Sequence, residues 1–167
     1  MRRVLVSTML ASLLAGAMAL PALAAKPERA FLEAPPPTDY AAGELCSYAV
    51  RVEFPINNEY GITFAPQNDG SQRMIVTGRL VAMVTNLETG ESITLNASGP
   101  GTFWFAPDGT LAIDGGGHWL LYLYPTDVGG PGIFYTSGPI HLEAGASGVT
   151  ALTMPRHTRD ICAMLAE

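Results

Sequence analysis

Positive charge is scarce in this chain. Nine Lys and Arg stand against fifteen Asp and Glu, a formal net charge of −6 over 167 residues. Nucleic acid is therefore not an expected partner, because affinity for it comes largely from Lys and Arg neutralising phosphates. Adhesion to anionic lipid is disfavoured for the same reason. Cysteine is scarce too, limited to Cys46 and Cys162 and lacking the close C-x-x-C spacing of redox pairs. The nucleophile elbow G-x-S-x-G, the phosphate loop, the dinucleotide fingerprint and the EF-hand loop are all missing. No catalytic residue, cofactor or metal site is assigned on this basis, and the expectation leans away from an enzyme.

Only one long apolar run is present, at the N-terminus. Arg2 and Arg3 precede an apolar or small stretch from Val4 to Leu20, and Ala22-Leu23-Ala24 offers small residues for cleavage. Residues 1–24 thus read as a secretory signal peptide, and the remainder as a secreted, extracellular chain that keeps no membrane segment after cleavage. Loss of that segment removes two arginines and no acid, leaving seven bases against fifteen acids and a net charge of −8. Residues 25–43 carry Pro27, Pro35, Pro36 and Pro37 among Ala and acidic residues. Proline lacks a backbone donor, so this segment is expected to be a flexible leader outside any sheet. Residues 44–167 form a single expected domain. In an exported chain Cys46 and Cys162 are expected to pair, a cross-link worth about 4–5 kcal/mol at most in the chain-entropy picture.

Within the domain the pattern has a period of two. From Met74 to Val84 the even positions are apolar or glycine, and the odd ones are mixed. Asn86 to Glu91 is polar with a glycine, and Ile93, Leu95 and Ala97 resume the apolar row. This predicts a strand, a tight turn and a returning strand. Earlier, Tyr48, Val50, Val52 and Phe54 alternate with polar residues until Pro55, where the strand is expected to stop. Residues 56–71 then read mostly as loop, with a short strand at 60–64. Further strands are expected at 102–105, around Leu111 and Ile113, at 118–124, at 133–143 with a bend at Ser137-Gly138-Pro139, and at 149–154. Both faces of the 118–124 strand are bulky, which predicts cover on both sides. Residues 158–165 read as a last helical turn.

Strands in sequence order joined by glycine turns predict an all-β fold with antiparallel pairing. A meandering, lipocalin-like β-barrel of about eight strands is the expected architecture, with a two-sheet β-sandwich as the alternative. The disulfide favours the barrel by bringing the start of the domain to its end.

Candidate ligand-binding residues are the aromatics with polar handles and the histidines: Trp104, His118, Tyr122, Tyr124, Tyr135 and His141. His118 follows Asp114 across three glycines, an arrangement that also reads as a plain hairpin turn. His141 and Glu143 share a strand face, which is half of a metal site or a polar surface. His157 lies in the one local basic cluster, with Arg156, Arg159 and Asp160, which reads either as an anion site or, as expected in an acidic chain, as a partner for nearby carboxylates.

The turn sequences Thr85-Asn86-Leu87-Glu88-Thr89-Gly90, Asn96-Ala97-Ser98-Gly99-Pro100-Gly101 and Asp108-Gly109-Thr110, with a cysteine near each end, resemble those of small uncharacterised secreted β-domain proteins of high-GC Gram-positive bacteria. The resemblance spans about 43–165 and implies a compact exported β domain, with no activity or site residues attached. Two functions remain open from the sequence. One is a module holding a small apolar or aromatic ligand, and the other is an extracellular protein that meets another macromolecule through a sheet face or its leader.

Overall fold

A computed structural model describes residues 26–166. The expected signal peptide lies outside them. Two long antiparallel strands, β3 (Val50–Thr63) and β4 (Gln72–Asn86), form the spine of the fold. Each is too long to lie flat in one environment. Their register shifts between Glu53 and Ile56, and further along the pair Gly78, opposite Glu59, adopts φ +146°. A Cβ at Gly78 would run into the backbone of Asn58 and Glu59, so only glycine lets the two strands approach so closely there.

Different neighbours occupy the two ends of the spine. At one end β2 (Thr38–Tyr40) pairs with the start of β3, and β5 (Ser92–Asn96) pairs with the end of β4. At the other end β1 (Glu28–Phe31) pairs with β3 and β6 (Gly101–Phe105) with β4. The sheet continues from β6 through β7 (Leu111–Gly115) and β10 (Ile140–Gly145) to β11 (Gly148–Thr153). A second sheet has three strands in the order β12 (His157–Asp160), β9 (Gly132–Ser137), β8 (His118–Leu123). A short helix, α1 (Ile161–Met164), follows β12, with the Asp160 carboxylate accepting from the Ala163 N–H at 3.0 Å.

The all-β class, the antiparallel pairing and the β4–β5 hairpin agree with the sequence reading. Among the described residues the closed barrel does not form: nine strands make one open sheet and three make another. The cause is visible at Ser137-Gly138-Pro139, which was expected to bend a single strand. Gly138 takes φ +132° and the chain leaves the small sheet to enter the large one, so β9 and β10 belong to different sheets. The disulfide between Cys46 and Cys162 is present, with 5.4 Å between Cα atoms. It ties the segment before β3 to α1 rather than one sheet edge to another. Proximity of the two chain ends therefore did not require sheet closure.

Two further expectations are corrected. Pro55 does not end β3, because it falls at the register shift, where a missing N–H breaks no ladder bond. The segment 28–40 does join the sheet, with its proline run 35–37 kept in the connection between β1 and β2. Proline is harmless outside the paired residues, and the strands flanking it donate normally.

The main interior cluster includes Val50, Val52, Val84 and Leu95 of the large sheet, Ile133 and Tyr135 of β9, and Ile161 and Leu165 at the chain's end. Two polar side chains in this region are paired with the chain's end, while the buried Thr136 hydroxyl of β9 has no partner among the described residues. Tyr48 donates to the Cys162 carbonyl at 2.6 Å, and the Asn86 amide donates to the Leu165 carbonyl at 2.9 Å. Strand β8 meets the large sheet from both faces, as its bulky residues predict. On one face Trp119 lies against Gly99, Gly101 and Gly115; on the other Tyr122 stacks with Tyr40 at 6.4 Å.

Candidate functional site

Strand pairing sets adjacent glycines, Gly101 of β6 and Gly115 of β7, directly opposite each other. Together they make a flat floor for the Trp119 indole. An added Cβ would come to 2.5 Å from the ring at Gly101 and 2.6 Å at Gly115, so the indole occupies the space where side chains would stand. The ring is fixed further by its N–H, which donates to the Gly116 carbonyl at 3.1 Å. Beside this seat, between β8 and the bent spine, lies a cavity of about 160 Å³. Its walls are apolar for the most part, with Phe54, Val76, Leu80, Phe103 and Trp119 among them.

Two polar groups interrupt that wall. Glu59 is half-buried, and desolvation raises its carboxyl above the usual range. The Tyr122 hydroxyl is buried without a hydrogen-bond partner, and burial raises its pKa well above that of a free phenol. A buried polar group with no partner costs about 1–3 kcal/mol, so this hydroxyl is an opening for a ligand that donates to it or accepts from it. The arrangement offers a mostly apolar, ring-sized space with one acidic and one phenolic contact. Such a site can hold and orient a small molecule.

The six candidate residues do not converge. Tyr122 lines the cavity. Tyr124 is exposed and tilts against Tyr40 at 6.4 Å. Trp104 lies in a separate surface recess with Phe64 and Arg73, whose guanidinium covers the Phe64 ring at 3.9 Å. His118 and Tyr135 share a third place, a groove at the end of the small sheet. His141 stands on the exposed face of β10. Its Nδ1 is 2.8 Å from Asp114 and its Nε2 3.4 Å from Glu143, and these hydrogen bonds, Asp114 first, raise its pKa. Asp114 is the neighbour that sequence spacing alone did not pick out for His141; it arrives by the pairing of β7 with β10. Among the described residues no group of three or more His, Cys, Asp or Glu is arranged to hold a metal ion.

Glu59 was missed because it falls in 56–71, read mostly as loop beyond the expected stop at Pro55, and Phe54 was read only as an apolar strand residue. Trp119 was visible as an aromatic, but its glycine floor is assembled from two chain segments, Gly99 to Gly101 and Gly115, by the pairing of β6 with β7. The expected pairing of His157 with nearby carboxylates is not found: among the described residues neither it nor Arg156 nor Arg159 forms an ion pair. Compared with protein-family models, curated proteins and solved structures, the chain matches none.

Proposed function

We propose that this chain is an exported, non-catalytic binding module, and that its two open sheets act as a β-sandwich enclosing a site for a small aromatic ligand. The observation that carries this reading is the cavity beside Trp119, where the buried, unpartnered Tyr122 hydroxyl and the half-buried Glu59 interrupt an apolar wall. Its volume of about 160 Å³ suits one six-membered ring, since an apolar cavity of about 150 Å³ accepts benzene. A ring bearing one hydroxyl or amino group satisfies both the apolar wall and the two polar contacts. The disulfide, and the lack of any helix long and apolar enough to cross a membrane among the described residues, fit an extracellular setting. The likeness of the turn sequences to small secreted β-domain proteins of high-GC Gram-positive bacteria belongs to the same proposal and rests on sequence alone.

The macromolecular alternative has less behind it. The six exposed large apolar residues among those described, Phe31, Leu87, Phe105, Tyr124, Val128 and Met164, come from five segments, and only Tyr124 and Val128 share one. Titration of the protein with phenol or indole, followed by amide NMR shifts, tests the ligand reading. Saturable shifts centred on Trp119 and Tyr122 are expected, together with their loss in Ala97→Leu, which fills the cavity from a buried wall position. A wild-type protein with no saturable shift at millimolar ligand, or an Ala97→Leu variant that binds equally well, overturns it.

A further inference from the structure

The pairing of the small sheet brings together three residues that the sequence keeps far apart. His157 of β12 lies opposite Ser137 of β9, and Ser137 lies opposite His118 of β8, so the three form one rung across the sheet. Two positions along, Arg159 lies opposite Tyr135. Side chains two apart on a strand share a face, so both histidines, Ser137, Tyr135 and Arg159 stand on the same side. Arg156, just before β12, lines the same groove, which has a volume of about 430 Å³.

The groove is held in shape. Tyr135 donates from its hydroxyl to the Asn96 carbonyl at 2.9 Å, and its ring supports two cationic or cation-forming groups. The His118 imidazole stacks on it at 5.5 Å between centroids and 6° between planes, and the Arg159 guanidinium lies 4.8 Å from its centroid. Neither arginine forms an ion pair among the described residues. Asp160, the nearest acid in sequence, is engaged in capping α1. The Nδ1 of His118 is buried and has no partner.

We infer that this groove is a second binding site, distinct from the inner cavity, and that it takes the carboxylate or phosphate group of a small molecule. Guanidinium groups match these oxyanions in shape and donate in pairs, while imidazole and hydroxyl groups beside them complete the shell. The restriction to a small molecule follows from charge. The chain as a whole is at −6, so a long polyanion reaching beyond the groove meets repulsion from the rest of the surface. A groove of this volume falls in the usual range for small-molecule sites.

The test is an NMR titration with sodium phosphate and, separately, sodium acetate, each against sodium chloride at matched ionic strength and constant pH. Saturable shifts at His118, Ser137 and His157 are expected for at least one oxyanion and not for chloride; which one binds distinguishes a phosphate from a carboxylate site. The double substitution Arg156→Gln with Arg159→Gln should weaken that binding about tenfold or more, as expected for lost charge-assisted hydrogen bonds. Arg156 lies outside the strands, so Arg156→Gln alone serves if the double variant does not fold, and a smaller but measurable weakening is then expected. His118→Gln should weaken binding as well. Equal shifts with chloride, or unchanged affinity in the folded arginine variants, overturn the assignment. Phenol or indole binding at Trp119 should persist in these variants, so failure of one site is distinguishable from failure of the other.

Discussion

At the β2 and β5 end of the spine, Val50 and Val84 are sealed from solvent against Ile133 and Ile161, and the disulfide lies alongside. At the β1 and β6 end the same two strands border a cavity, a half-buried carboxylate and an orphan phenol hydroxyl. One pair of strands therefore carries a filled interior and an unfilled one, divided by the register shift at Glu53–Ile56. The contrast teaches that stability and recognition have been given to opposite ends of a single hairpin. A close-packed, cross-linked end leaves the other end free to keep a void, which on its own weakens a core.

The largest expected effect tests the stapled end. Replacing Cys46 and Cys162 with serine opens a loop of 116 residues and should lower unfolding stability by about 4 kcal/mol, read from urea unfolding. Equal midpoints for the wild type with and without reductant would remove the distinction between the ends.

A smaller effect probes the open end where it is tight. Gly101→Ala sets a methyl group against the Trp119 indole and should cost about 1–3 kcal/mol, the usual range for overpacking. Tryptophan emission should shift at the same time as the ring leaves its seat. If neither changes, the glycine floor does not hold the cavity wall in place.

The smallest effect lies on the surface of the open end. Asp114 and Glu143 raise the His141 pKa above its ordinary value of 6.5, so the charged imidazole favours the folded state. That contribution is complete below the unfolded pKa and disappears as pH rises through the higher folded one. An NMR titration should place the His141 pKa above 6.5, and Asp114→Asn should move it back down. The group is exposed, so the accompanying change in stability should be slight.

Several parts of the structure could be read directly from residue order. The β4–β5 hairpin follows from alternation on both sides of Asn86–Glu91, and the cysteine pairing follows from there being only two. The path of β3 through Pro55 could not be read, because a proline signals an end unless the partner strand is known to slip at that point. The split between β9 and β10 was similarly hidden, since Gly138-Pro139 marks a bend without saying which sheet the chain enters next. Of the candidate residues, Tyr122 stands at one cavity, His118 and Tyr135 at a second and Trp104 at a third, while Tyr124 and His141 lie on the exposed surface. Their residue types were informative; their grouping was not.

Local alternation by itself determined that this chain makes strands, where most of them turn, and that they pair antiparallel, because side-chain period and turn chemistry act over a few residues. Tertiary structure alone decided that the large sheet stays open, that Trp119 rests on paired glycines of β6 and β7, and that His118, Ser137 and His157 share a rung. Each of these depends on register between strands distant in sequence, and register is settled only when whole faces are packed against one another.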